Sequence, residues 1–120
     1  MVDRGEVDWR NIRLKSKTRV FLEALSQIEY EDFVQAVILF GSEARGEATI
    51  KSDVDIAIIS TRPLNHKERY GFLMDVPGDV KDDVDYQVCC IRTDSLYTDK
   101  LTHIGTSIKK EGLIIYEKLS

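Results

Sequence analysis

Two groupings of side chains in this sequence are suited to chemistry on phosphate. The stretch AVILFGSEARGEATIKSDVDIAII, residues 36–59, is an apolar run that stops at Gly41-Ser42, followed one short loop later by two carboxylates, Asp53 and Asp55. Glycine lets a phosphate come close to the backbone. A strand that ends in Gly-Ser and feeds a helix aims N–H groups, a hydroxyl and the positive end of the helix dipole at one point. Taken alone, the same pair also reads as an ordinary strand-to-helix turn with Ser42 as its N-cap. Residues two apart on a strand share a face, so Asp53 and Asp55 emerge side by side while Val54, Ile56 and Ile58 form an apolar opposite face. Carboxylates that close repel each other unless a cation lies between them, and Mg²⁺ commonly takes one or two carboxylates together with phosphate oxygens. An isolated Asp-x-Asp also occurs solvated or paired with Arg or Lys. Asp85, within VDYQVCC, shares a face with Asp83 and lies deeper in its strand. A carboxylate inside a strand is costly unless a metal or a proton transfer uses it, the alternative being the exposed face of an edge strand. In combination, three carboxylates after a phosphate-friendly turn describe a nucleotide-handling site, two metals held by three carboxylates being a known arrangement for in-line displacement at phosphorus.

The elements that position these residues follow from hydrophobic spacing. Trp9, Ile12, Val20, Phe21, Ala24, Leu25 and Ile28 recur at helical intervals and predict a first helix from about Asp8 to Ile28, with a break near Ser16. Its Arg10, Arg13, Lys15, Lys17 and Arg19 read as a solvated face. Val34 to Phe40 reads as a buried central strand, Glu43 to Ala48 as a short helix with a polar loop after it, and Asp53 to Ser60 as the second strand. Pro63 and Asn65 open a further helical stretch with Tyr70, Leu73 and Met74 on its buried face, ended by a turn at Pro77-Gly78. Val84 to Ile91 is the third strand. Thr93 or Asp94 caps a last helix that ends at Lys109, Lys110 and Gly112, and Leu113 to Tyr116 is a short final strand.

Composition limits the partners. A chain of 120 residues suits one compact domain, residues 1–120, with no linker visible. The net charge of −4 argues against a broad sequence-independent grip on nucleic acid, which needs a basic surface. No apolar run reaches the length of a membrane span, and MVDRGEVDWR lacks the apolar core of a signal peptide, so a cytoplasmic protein is expected. Cys89 and Cys90 are neighbours that point to opposite faces of a strand, which predicts free buried thiols in a reducing compartment. His66 and His103 lack metal-ligand partners at useful spacing, and Tyr70, Tyr86, Tyr97 and Tyr116 read as packing residues.

The segment GSEARGEATIKSDVDIAII resembles the signature of the nucleotidyltransferase superfamily with the DNA polymerase β-like fold: Gly-Ser, a helix and loop, Asp-x-Asp, then a later single Asp on a strand. Gly41-Ser42, Ala44-Arg45-Gly46, Ser52-Asp53, Asp55 and Asp85 carry the match, and the small size and the ending KKEGLIIYEK resemble the minimal nucleotidyltransferase (MNT) branch, over about residues 18–118. The resemblance implies an α/β fold, a small mixed β-sheet packed by helices. It implies that Gly41 and Ser42 hold the β- and γ-phosphates of a nucleoside triphosphate, ATP above others, and that Asp53 and Asp55 bind Mg²⁺. Asp85 is implied to complete the metal site and to help activate an acceptor hydroxyl, which attacks the α-phosphorus as pyrophosphate leaves. Arg45 and Ser52 join the nucleotide-binding set: Arg45 orients the loop, meets a phosphate or forms a structural salt bridge, and Ser52 caps the turn more than it touches substrate. Glu43 departs from the family pattern, since an acid after Gly-Ser repels a triphosphate unless its side chain points away.

The implied function is a nucleotidyltransferase that adenylylates a helical HEPN-type partner as the antitoxin of a toxin–antitoxin pair. The extra helical domain of aminoglycoside nucleotidyltransferases and the thumb and finger domains of polymerases have no counterpart in the sequence. A non-catalytic subunit that neutralises a partner by contact is the alternative. An open-faced α/β domain of this size also invites a homo-oligomer.

Overall fold

The computed structural model describes residues 7–94 and 108–118. In chain order these form a 3-10 helix at Trp9–Asn11, α1 (Ser16–Ser26), β1 (Val34–Phe40), β2 (Val54–Ser60), α2 (His66–Gly71), a 3-10 helix at Phe72–Asp75, α3 (Gly78–Asp82), β3 (Tyr86–Arg92) and β4 (Leu113–Glu117). Residues 108–111 are helical and lead into β4, while most of the helix expected from Thr93 or Asp94 onward, with His103 and Tyr97, lies outside the described residues. No described helix is long and apolar enough to cross a membrane.

The strands form one sheet in the order β3-β2-β1-β4. β1 pairs antiparallel with both β2 and β4, whereas β2 and β3 run parallel, joined by the crossover that contains α2 and α3. This is the expected small mixed sheet packed by helices, with β1 and β2 at its centre. Both faces of the central strands are covered, which is why their sequences read as nearly continuous apolar runs. On one face Val37, Leu39, Val54, Ile56, Ile58, Val88 and Leu113 pack with Trp9 and with Phe21, Leu22 and Leu25 of α1. On the other, a smaller cluster joins Ala36, Ile38, Ala57, Ile59 and Ile108. Tyr86 stacks on Phe21 with ring centroids 5.4 Å apart, a packing role as expected.

Several boundaries differ from the sequence expectation for identifiable reasons. The single helix over Asp8–Ile28 is two elements, and the break is wider than a kink at Ser16. Asp8 caps the first by accepting from the Arg10 N–H at 2.9 Å. The Arg19 guanidinium then donates to the carbonyls of Arg10 and Ile12, each at 2.8 Å, which satisfies backbone that a continuous helix would have paired itself. Val20 and Met74, assigned to buried faces by spacing, are exposed. α1 buries Thr18, Phe21, Leu22 and Leu25 instead, a stripe rotated to include the threonine. Asn65 opens α2 as expected, through a reciprocal capping box with Glu68. Pro77-Gly78 does not simply end that stretch: Pro77 takes the N-cap position and Gly78 begins α3.

Gly112 makes the turn between the residue 108–111 helix and β4. Its N–H donates to the Ile108 carbonyl at 2.9 Å, and a Cβ there would overlap that carbonyl oxygen and lie 2.6 Å from Ile38 Cγ2. Gly112→Ala is expected to cost about 1–3 kcal/mol, as overpacking does, read as a lowered urea midpoint with an unchanged slope.

Candidate functional site

The site is built at the end of the sheet where β1 stops and β2 starts. Antiparallel pairing sets Phe40 opposite Asp55, so the residue after Phe40 passes over the Asp55 side chain. That residue is Gly41, with φ +77°. A Cβ there would overlap Asp55 Oδ2 and lie 3.1 Å from the carboxyl carbon. Two independent constraints, a left-handed backbone and the carboxylate against it, therefore call for glycine.

The chain then makes a single turn. The Arg45 N–H donates to the Gly41 carbonyl at 3.2 Å, the Gly46 N–H to that of Glu43 at 3.1 Å, and the Glu47 N–H to that of Ser42 at 2.9 Å. With Gly46 at φ +72°, this is a Schellman ending, and it stops the helix expected over Glu43–Ala48 after its first turn. The signal was in the sequence as Gly46, a C′ residue close behind the start.

Glu43 points away from the site. It is buried, its Oε1 accepts the Thr18 hydroxyl at 2.7 Å, and Lys15 Nζ lies 3.4 Å from the same oxygen. The acid that departs from the family pattern is thus turned toward α1. Lys15 also donates to the carbonyls of Thr49 at 3.1 Å and Ser52 at 3.0 Å. It is no member of a solvated helix face, because it precedes α1 as its N-cap residue. Sequence spacing gave no signal for this role, since the partners are more than thirty residues away.

Ser52 closes the loop before β2: its Oγ accepts the Thr49 N–H at 2.9 Å and its own N–H donates to the Thr49 carbonyl at 3.1 Å. This is the capping role. Asp53, immediately before β2 rather than in it, and Asp55 are both half-buried. Gln87 Nε2 donates to Asp53 Oδ2 at 3.2 Å. Parallel pairing sets Gln87 level with Asp55, and sequence reasoning missed it although it lies two residues beyond Asp85 on the same face.

Asp85 differs from its expectation. It is exposed, one residue ahead of β3, and β3 is an edge strand, so the cost of an acid inside a strand does not arise. Its carbonyl accepts the Val54 N–H at 2.8 Å, which continues the β2–β3 ladder and sets Asp85 level with Asp53. Strand alternation gives it the same face as Asp53 and Asp55. Among the described residues, no group of three or more His, Cys, Asp or Glu side chains is gathered closely enough to hold a metal ion. What the fold brings together is Gly41, Asp53 and Asp55, with Gln87 and Asp85 beside them.

Arg45 is in a structural salt bridge. Its Nε lies 3.0 Å from Glu47 Oε2 and its Nη1 2.9 Å from Glu111 Oε2, and these bonds raise the guanidinium pKa. Its charge still reaches Asp55. The Asp55 carboxyl is pushed above the usual carboxylate range, first by burial and then by Asp53, with Arg45 opposing the shift. A carboxyl raised by burial and by a neighbouring acid could hold a cation, because a divalent ion between Asp53 and Asp55 would offset both. On the same face farther along β3, the thiol of Cys89 is pushed up to about 11 by burial and the nearby charges of Cys90 and Asp55. Both cysteines are free, as expected, and half-buried.

This combination of sheet, glycine elbow and paired acids is that of the polymerase β-like nucleotidyltransferase fold. The chain belongs to the Polymerase beta nucleotidyltransferase family, whose model matches residues 23–119. No curated protein matches it in sequence. Among solved structures it is similar to a chain of a toxin–antitoxin complex with AMP-PNP, at 18% identity and a TM-score of 0.56, covering 87% of this chain and 75% of that one. It is equally similar to a chain of a mutant MntA–HpeT toxin–antitoxin complex, at 16% identity and a TM-score of 0.56 over 87% of this chain and 75% of that one. At such identities the likeness is one of fold.

Two outcomes test the geometry. Gly46→Ala, strained in φ but with open space around its Cβ, is expected to lose about 1–2 kcal/mol, whereas Gly41→Ala adds the clash with Asp55 and loses more; denaturant titration compares them. Asp55→Asn is expected to raise the melting temperature of the metal-free protein at pH 7. A carboxyl whose folded pKa is raised opposes folding once ionised, so the gain should shrink as the pH falls into the carboxylate range, where wild type and variant are both neutral.

Proposed function

We propose that this protein is a minimal nucleotidyltransferase that moves AMP from ATP to an acceptor hydroxyl on a helical HEPN-type protein, as the antitoxin of a toxin–antitoxin pair. The observation that carries the reading is the glycine elbow seated on the Asp55 carboxylate, in a chain of nucleotidyltransferase family. The partner and the adenine nucleotide are supported by two fold relatives that are toxin–antitoxin complexes, one of them with AMP-PNP, and by the resemblance of Gly41-Ser42 and Asp53-Val54-Asp55 to the MNT signature.

Each residue has a task set by its chemistry. Gly41 and Ser42 offer backbone that β- and γ-phosphate oxygens can approach, since Gly41 carries no side chain and Glu43 is turned inward. Asp53 and Asp55 would hold Mg²⁺, which when bound neutralises phosphate charge and orients the triphosphate for in-line displacement. Gln87 holds the Asp53 carboxylate in place. Asp85, exposed at the same end of the sheet, is open to an acceptor arriving from solvent and takes the proton of its hydroxyl. The acceptor oxygen bonds to the α-phosphorus, the bond from that phosphorus to the bridging oxygen breaks, and pyrophosphate carries away the electron pair.

The test is incubation with Mg²⁺ and ATP labelled in the α-phosphate, with and without the helical protein encoded by a neighbouring gene. Label is expected on the partner. Asp53→Ala/Asp55→Ala should reduce transfer by about 10³-fold or more, the loss expected when several kcal/mol of metal-dependent stabilisation is removed. A variant that still neutralises the partner fully would instead point to masking by contact.

A further inference from the structure

We infer that Lys15 is a positioning residue for the nucleotide site, tying the loop that delivers Asp53 to the turn that delivers Gly41. The inference rests on the nucleotidyl-transfer reading of that site. An ammonium has three N–H donors and no acceptor. Lys15 Nζ meets three oxygens: the Thr49 and Ser52 carbonyls, at 3.1 and 3.0 Å, and Glu43 Oε1, at 3.4 Å. The first two belong to the turn that ends one residue before Asp53, and the third to the turn whose first residue lies against Asp55. One cation thus bridges the two ends of the connection between β1 and β2.

The charge is needed where it sits. Glu43 is 1% exposed, and its Oε2 has no hydrogen-bond partner among the described residues. A carboxylate taken out of water is costly unless a counter-charge and hydrogen bonds replace the lost hydration. The Lys15 backbone contributes as well: its carbonyl accepts the first helical bond of α1, from the Arg19 N–H at 3.0 Å, so the side chain is anchored on a fixed helix start. Thr18, in the first turn of that helix, donates to the same Glu43 oxygen at 2.7 Å, and among the described residues it makes no hydrogen bond to Thr49 or Ser52. The two residues therefore separate support of Glu43 from control of the loop.

Full-length protein is compared as Lys15→Met, Lys15→Arg, Thr18→Val and Lys15→Met/Glu43→Gln. Hydrogen exchange is followed over residues 47–55, MgATP affinity by calorimetry, and the melting temperature alongside. Lys15→Met is expected to speed exchange in that segment and weaken MgATP binding, each by about tenfold, the scale of a lost charge-assisted hydrogen bond. Lys15→Arg should recover most of both. Thr18→Val should lower the melting temperature with affinity little changed. The double variant, free of the unpaired buried charge, should regain melting temperature without regaining loop protection. Unaltered exchange and affinity in Lys15→Met would overturn the inference, as would a loss of affinity in Thr18→Val equal to that in Lys15→Met. If wild-type protein binds no MgATP, the nucleotide reading fails, and exchange alone decides the tether: faster exchange in Lys15→Met upholds it, unaltered exchange overturns it.

Discussion

The contact on which the site depends is between a backbone and a carboxylate. Asp55 is fixed opposite Phe40 by the pairing of β1 and β2, so the chain leaving β1 has to cross the Asp55 side chain at once. Only a residue without a Cβ, in a left-handed conformation, makes that crossing, and Gly41 does. The register of two central strands, set by apolar residues buried on both faces, is thereby converted into a fixed contact between the Gly41 backbone and an acid. A slip of one residue would turn Asp55 into the apolar cluster around α1 and put Ile56 in its place.

Charge is distributed around that contact with some cost. Asp55 is raised by burial and by Asp53, a repulsion the folded chain tolerates because the pairing leaves the two acids no other face. Perturbed carboxyls of this kind cluster at functional sites. The remaining charges near the elbow are neutralised locally: Arg45 by Glu47 and Glu111, and Glu43 by Lys15 with the Thr18 hydroxyl. The acid that follows Gly41-Ser42 is turned into the protein, onto the Thr18 hydroxyl and the Lys15 ammonium.

Much of the architecture was legible in residue types. β1 has the bounds its apolar run predicted, Asn65 caps α2, and the alternation of Asp53, Val54, Asp55 and Ile56 assigned each side chain to its face. Misreadings came where local pattern competes with long-range contacts. Val20 and Met74 have helical spacing but the wrong rotation, because the stripe that packs on the sheet is chosen by the sheet. The helix over Glu43–Ala48 is one turn because Gly46 ends it. Asp85, read as a costly acid within a strand, is exposed ahead of an edge strand, and edge position is a property of strand order that no single segment carries.

The sequence by itself determined the strands, their two faces and the identity of the chemical groups, because these follow from side-chain periodicity of two and from the conformational freedom of glycine. Tertiary structure alone decided that Gly41 lies on Asp55, that Gln87 holds Asp53, and that Lys15 reaches Glu43, Thr49 and Ser52. Each of these is a meeting of residues distant in the chain. Their separation in space is set by strand order and register, which depend on the burial of the whole sheet at once rather than on any one stretch of it.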